Sequence, residues 1–481
     1  MKKYRILFLV LLLSLTIFRL FYIKSFNLSP DEAYYWDWSR NPSLSYYTHP
    51  PMVAYIIRIF TLIGRDSEFW VRLGAVLLAL GVSILIYLLA RDIFKSERIA
   101  FFSVLLLNIT LGFAIGALII TPDVPLVFFW MLSLCFLYKA SERGNRGWWY
   151  PLGVAVGLGL LSKYTMVLFF PCALLFLLLS GKNRKWLKCK EPYLALVIAF
   201  LIFLPVIIWN YNHGWVSFAK QLSHGLGRRG FPLRNLGDYL GSQAGIISPL
   251  LFFGLLYSMI KGFHLRTKEK RDNLLLLSCF SLPIFFFFLL TSLRSKVEAN
   301  WPAMGYLSAI VLLSVFLFAI EKKRKKIALV LLIFLTSLSF TILAHSFPLL
   351  PPKIKPINWL YGWKELGREV SRLKKEMSEE SFIFAPRHQL AAEIAFYTDE
   401  KYQTYEMDSQ YGKDYWGNID FLKGRDALFV TYSDYDELTF VSSHFSSLKK
   451  EKDIPIFRKG EKIKAFSIYR CRNYLGGLFH D

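Results

Sequence analysis

The feature that most restricts this chain is a series of apolar blocks about twenty residues long, such as Ile6 to Ile23, Phe69 to Ala90 and Leu274 to Leu290. About 20 apolar residues in a helix cross the hydrocarbon core of a bilayer. No water is available there for unpaired peptide groups, so such segments are helical. The same criterion marks spans near residues 5–23, 69–90, 99–119, 124–140, 151–162, 165–180, 192–209, 240–261, 274–292, 302–320 and 327–347. Within 151–180, Gly157, Gly159 and the polar Ser162-Lys163-Tyr164-Thr165 interrupt the block, which reads as two short helices meeting at one face. Hydrophobic residues make up 54% of the chain and come in blocks rather than alternating. An ordinary soluble enzyme is thereby excluded, and a polytopic α-helical membrane protein of about 11 to 13 transmembrane helices is expected.

The net charge of +23 points to a membrane surface rather than to nucleic acid, because the basic residues lie mostly between the spans. Alternate loops are short and basic: Arg91, Lys95 and Arg98; Lys139, Arg143 and Arg146; Lys182 to Lys190; Lys261 to Arg271; Lys322 to Lys326. By the positive-inside rule these loops are cytoplasmic, as is the N-terminus. The basic start at Lys2, Lys3 and Arg5 has no small-residue cleavage site after it, so the first block is expected to be a true helix. Residues 1–350 then form a transmembrane domain with a first outer loop at 24–68. Residues 351–481 alternate helical stretches ("GWKELGREVSRLKKEM", "HQLAAEIAFYT") with strand-like ones ("SFIFAP", "DALFVTY") and read as a small α/β domain on the outer face. Five scattered cysteines give neither a disulfide framework nor a CxxC metal site.

The outer loops carry the polar residues that are not spacers. Asp31 and Glu32 are adjacent acids just past the first span, and adjacent positions point in different directions, so one reaches a substrate while the other holds a neighbour or a metal. As a bland alternative, Ser29-Pro30-Asp31-Glu32 simply starts an interfacial helix. Asp123 stands between Pro122 and Pro125 at a span end, where an acid is capped, paired or working. Lys163 sits at the break between two short spans, where it snorkels, pairs or holds a lipid phosphate. His49 precedes the stiff Pro50-Pro51. One outer loop breaks the charge rule with Lys220, Arg228, Arg229 and Arg234, a concentration that calls for a phosphate. His213 and His224 flank it without metal-ligand spacing. Lys296-Val297-Glu298-Ala299-Asn300-Trp301 begins another outer helix, with Trp301 readable as a belt aromatic and Lys296 with Glu298 as a solvated pair.

The stretches "SPDEAYYWDWSRNP", "YYTHPPM", "TPDVPLVFFW", "GLGLLSKYTMVLFFP", "WNYNHGWVSF" and "EANWPA" resemble the superfamily of protein O-mannosyltransferases and aminoarabinose lipid A transferases, GT-C type integral membrane glycosyltransferases of the family 39/83 kind. The resemblance is clearest over residues 27–305. It implies transfer of a sugar, with inversion, from a polyprenyl-phosphate carrier to a lipid A, glycan or protein acceptor at the outer face of the inner membrane. It further implies Asp31 as general base, with Glu32 or Asp123 orienting acceptor or base. Lys163, Arg228, Arg229, Lys296 and His49 would bind the donor phosphate, and Tyr34, Tyr35, Glu298, Asn300 and Trp301 would contact acceptor or sugar. No metal or other cofactor is called for by ligand spacing. Aminoarabinose transferases carry a Lys before the double proline where this chain has His49, which argues against an aminoarabinose donor. A flippase or transporter of lipid-linked sugars is the alternative, with interrupted helices near the midplane and related halves as its signature. No internal repeat is seen. A third class, a sensor or scaffold acting through the tail, would leave Asp31 dispensable.

Overall fold

The structure, a computed structural model, describes residues 2–227, 232–264, 271–346, 358–399, 401–407 and 419–479. It contains two compact units: one of Met1–Tyr22, Thr48–Val53 and Leu73–His345, the other of Ile23–Tyr47, Ala54–Arg72 and Ser346–Asp481. The helices in chain order are α1 (Lys2–Tyr22), α2 (Pro30–Arg40), α3 (Met52–Gly64), α4 (Glu68–Phe94), α5 (Glu97–Asn108), α6 (Leu111–Gly116), α7 (Asp123–Arg143), α8 (Trp149–Leu160) and α9 (Phe169–Leu179). There follow α10 (Glu191–Asn212), α11 (Val216–Leu226), α12 (Pro232–Ile247), α13 (Pro249–His264), α14 (Arg271–Cys279), α15 (Leu282–Ser292), α16 (Ala303–Ala319), α17 (Lys323–His345), α18 (Trp363–Lys375) and α19 (His388–Tyr397).

Five helical stretches among the described residues are long and apolar enough to cross a membrane: Lys2–Tyr22, Glu68–Phe94, Asp123–Glu142, Glu191–Asn212 and Asp272–Ser292. Shorter apolar helices accompany them at Met52–Gly64, Tyr164–Leu179, Ala303–Ala319 and Ile327–Leu343. Two expected spans are broken. The one placed at 240–261 is the pair α12 and α13, bent by 104°, because Ser248 takes a left-handed φ of 84° and Pro249 has no N–H to continue the ladder. The one placed at 99–119 stops at Asn108 and restarts at Leu111, where the Thr110 side chain caps α6 by accepting from the Phe113 N–H. The interruption expected within 151–180 is present: α8 ends at Leu160, Lys163 is extended, and a 3-10 turn at Tyr164–Leu168 leads into α9.

Most of the core of this helical unit, among the described residues, is one large apolar cluster. At its centre Trp130 meets Phe169 and Phe280 edge-on, with ring centroids 5.2 and 5.9 Å away. Where α8 crosses α10, a Cβ on Gly153 would lie 2.5 Å from the Ala195 carbonyl oxygen, and one on Gly157 would lie 2.7 Å from the Ile202 Cβ. The four-residue spacing of the two glycines is therefore what lets these backbones touch, a packing device typical of membrane helices.

In the second unit a five-stranded sheet has the order β2-β1-β3-β5-β4, with β1 at Phe382–Ala385, β2 at Thr404–Glu406, β3 at Ala427–Tyr432, β4 at Phe445–Arg458 and β5 at Glu461–Tyr474. β1 pairs in parallel with β2 and β3, and β5 runs antiparallel to β3 and β4. Side chains alternate across the sheet. Ile383, Ala385, Leu428 and Val430 join Trp363, Leu366 and Val370 of α18 and Leu390 and Ile394 of α19. Phe382, Phe384 and Phe429 pack on the opposite face with Phe445, Tyr469 and Tyr474. The expected helices and strands of the tail are all present. β2 and the β4–β5 hairpin are additions, the hairpin turned by Lys459 and Gly460 with φ of 51° and 80°, the positive pair that a type I′ loop requires.

Candidate active site

The acidic segment is built by α2. Ser29 caps it, its hydroxyl accepting from the Glu32 N–H at 3.4 Å while the Glu32 carboxylate accepts from the Ser29 N–H at 3.0 Å, and Pro30 opens the first turn. The helix-start reading of this stretch is therefore correct as local structure. It is incomplete, because Glu32 has a second partner 40 residues on. Arg72 donates from Nε to Glu32 Oε1 at 2.8 Å and from Nη2 to Oε2 at 2.7 Å. The remaining guanidinium donors reach the carbonyls of Ile23, Phe26 and Asn27 at 2.7 to 2.9 Å. Both side chains have 0% exposure, so this is a dry, fully satisfied bidentate pair.

Asp31, one residue earlier, points elsewhere. Its carboxylate is exposed and accepts from Gln389 Nε2 at 2.9 Å. The two acids thus divide their duties as adjacent helical positions must. Tyr34 packs against the His388 ring at 4.4 Å and against Trp38 at 4.7 Å, and Tyr35 meets Trp38 at 5.1 Å. Trp38 in turn stacks on Tyr46 at 4.3 Å. Both tyrosines are nearly buried in this aromatic group.

In the helical unit the second constellation gathers around Asp123 at the start of α7. Lys163 Nζ donates to Asp123 Oδ1 at 2.8 Å, and Asn300 Nδ2 donates to Oδ2 at 2.6 Å. The side chains of Lys163 and Asp123 are 8% and 13% exposed. The break after α8 delivers Lys163 here, and the 298–300 segment is held by Gln243, which donates to the Ala299 carbonyl at 3.1 Å and accepts from the Tyr306 hydroxyl at 2.7 Å. Asp123, Thr121, Glu298 and Asn300, with Thr110 and Tyr306, are the polar residues of a cavity of about 370 Å³ whose wall is otherwise apolar, with Phe113, Ile246 and Leu307 among its residues.

His49 belongs to the same unit. Its strap is fixed by Met52 N–H donating to the Leu161 carbonyl at 3.0 Å and by Gln221 donating to the Thr48 carbonyl at 2.5 Å. Burial first, and then the charges of Lys163 and His224, push the His49 imidazole down to about 3. It is therefore neutral at physiological pH. The His224 ring meets Trp301 edge-on at 5.3 Å. Lys296 pairs with Glu298 at 3.0 Å in an exposed bridge. Arg228 and Arg229 lie outside the described residues. Among the described residues no group of three or more His, Cys, Asp or Glu side chains could hold a metal ion.

Sequence reasoning missed Arg72 and Gln389. Arg72 did leave a signal, a lone charge in "FWVRLGAV" at the start of an apolar block. Gln389 left none.

The fold is a polytopic helical one of the GT-C type, and the chain is a multi-pass membrane glycosyltransferase, as the following comparisons show. Residues 48–209 match the family model described as dolichyl-phosphate-mannose-protein mannosyltransferase. The chain is 27% identical over 383 residues to a lipid A galacturonosyltransferase of Rhizobium johnstonii, covering 78% of this chain and 79% of that one. It is 25% identical over 285 residues to an undecaprenyl phosphate-alpha-4-amino-4-deoxy-L-arabinose arabinosyl transferase of Proteus mirabilis, covering 54% of this chain and 50% of the relative. The crystal structure of ArnT from Cupriavidus metallidurans bound to undecaprenyl phosphate superimposes with a TM-score of 0.67 over 99% of both chains at 16% identity. None of these relatives is a transporter, and the flippase alternative finds no support among them.

Proposed function

We propose that the protein transfers a sugar, with inversion, from a polyprenyl-phosphate carrier to a hydroxyl of lipid A or a related envelope acceptor, with Asp31 as general base. In this reaction the acceptor oxygen forms a bond to the anomeric carbon, and the bond from that carbon to the carrier phosphate breaks. The hydroxyl proton goes to Asp31, and the electron pair leaves with the phosphate. A cation beside the leaving oxygen stabilises the charge that develops there. Lys163, Lys296, Arg228 and Arg229 supply that cation in this reading, while His49 serves as a neutral hydrogen-bonding group. Asp123 and Asn300 orient the lysine, Glu298 and Trp301 contact sugar or acceptor beside them, and Tyr34 and Tyr35 do so beside Asp31. Glu32 acts through Arg72 to hold the helix that presents Asp31.

The observation that carries this reading is the Lys163–Asp123–Asn300 group, in which Lys163 is held by an Asp123 that, with Asn300, lines a largely apolar cavity. The apolar body of that cavity suits an isoprenoid tail, and the lysine held by Asp123 is the cation proposed for the phosphate head. The reading is completed by an inner-membrane protein of about 11 to 13 spans with the N-terminus cytoplasmic and residues 351–481 periplasmic, oriented by the basic loops. The test is mass spectrometry of envelope lipids and glycoproteins from a deletion strain and from strains complemented with wild type or Asp31→Asn. A sugar present only with wild type is expected. Identical profiles in all three strains would overturn the proposal.

A further inference from the structure

We infer that Gln389, on the first turn of α19, is a positioning residue for the Asp31 carboxylate, so that the C-terminal part of the chain completes the catalytic centre rather than merely covering it. The inference rests on the reading of Asp31 as general base.

A carboxylate that is to take a proton needs one oxygen presented to the substrate, and rotation about its Cβ–Cγ bond blurs that presentation. Gln389 Nε2 lies 2.9 Å from Asp31 Oδ1, a normal length for an amide donating to a carboxylate. It holds one oxygen and leaves Oδ2 as the proton acceptor. The neighbouring acid shows the alternative. Both Glu32 oxygens are occupied by the Arg72 guanidinium, so neither is open to a substrate hydroxyl. A neutral amide orients without adding that positive charge.

The support beneath this hydrogen bond comes from both flanks of Asp31. On the N-terminal side of Asp31 the Leu28 N–H donates to the Tyr397 hydroxyl at 2.7 Å. On its C-terminal side Tyr34 packs on His388 at 4.4 Å, and Trp36 meets Phe396 edge-on at 4.9 Å. α19 therefore grips α2 before and after the acid, and the side chain linking the two at Asp31 is held by both backbones. Small displacements of a catalytic group lower rates steeply, about 10²-fold for an ångström.

The experiment measures initial rates of the full-length protein in detergent against increasing amounts of the envelope lipid extract of the deletion strain, which contains unused donor and acceptor. Thermal unfolding is recorded for the same samples. Gln389→Ala is expected to lower the maximal rate about 10-fold or more, with the half-saturating amount of extract and Tm unchanged. Gln389→Glu, which keeps the shape but replaces the donor with a like charge, is expected to lower it at least as far. Wild-type maximal rates in both variants, or losses that appear only together with a lowered Tm, would overturn the inference. Asp31→Asn, run beside them, separates the two claims. If that variant keeps the wild-type rate, the general-base reading itself fails; if it is inactive while both Gln389 variants are normal, only the present inference does.

Discussion

Glu32–Arg72 and Asp123–Lys163 are both ion pairs, made across 40 residues of sequence in each case, yet they are built differently. The first has 0% exposure on both sides and every guanidinium donor used. The second keeps 8% and 13% exposure, uses a point-like ammonium, and has its acid, Asp123, in the wall of a cavity. A sealed bidentate pair has one arrangement and serves architecture. A pair at a cavity wall can exchange its partner for an incoming anion, as a phosphate-binding lysine must.

Substitutions break this contrast at different depths. The largest effect is expected from Arg72→Ala, which strands Glu32 as a buried charge and removes about 3–5 kcal/mol of stability, read as a fall in Tm and in folded yield. Asp123→Asn keeps the shape and loses only the charge on the lysine's partner, for about 1–3 kcal/mol, with a loss of transferase activity out of proportion to the shift in Tm. If Asp123→Asn proves as destabilising as Arg72→Ala and equally active per folded molecule, the two pairs are alike and the contrast fails.

A third acid sharpens the point. Glu393 of α19 is wholly buried and its two carboxylate oxygens have no hydrogen-bond partner among the described residues. Burial raises its pKa well above the usual 4.5, with Lys464 opposing, Glu32 and Glu68 adding to the shift, and Arg72 opposing. The folded state therefore keeps a proton that the unfolded chain releases above about 4.5, and stability falls as pH rises from there. Glu393→Gln is expected to raise Tm more at pH 8 than at pH 5, checked by scanning both proteins at both values.

His49 has the opposite sign. Its folded pKa of about 3 lies below the ordinary 6.5, so between those values the unfolded chain binds the extra proton and stability falls as pH drops. His49→Gln is expected to flatten that acid limb while leaving activity with no ionisation near pH 6.5 to lose. The smallest effect belongs to Lys296→Ala. Its partner is an exposed Glu298, and such surface pairs contribute about 0–1 kcal/mol, so Tm is expected to stay put.

Several parts of the molecule were legible before folding was considered. The apolar blocks carry their own length criterion, the break at Ser162-Lys163 announced itself by polarity, and β1 and β3 of the tail stood out as strand-like runs. The β4–β5 hairpin was missed because β4 is largely exposed and mixes charges with apolar residues, although Lys459-Gly460 is a recognisable turn. The bends at Ser248 and Thr110 were hidden inside hydropathy windows that average over them.

By itself the sequence determined that the chain enters a membrane, which loops are basic, and that Asp31, Glu32, Asp123 and Lys163 stand at helix ends, because hydropathy and helix-start signals are local. Tertiary structure alone decided which acid was sealed and which was left open. Arg72 and Gln389 lie 40 and 358 residues from the acids they hold, and no local rule reaches that far. Two adjacent carboxylates that look equivalent on paper became a structural ion pair and a candidate base through the partners that the fold brought to them.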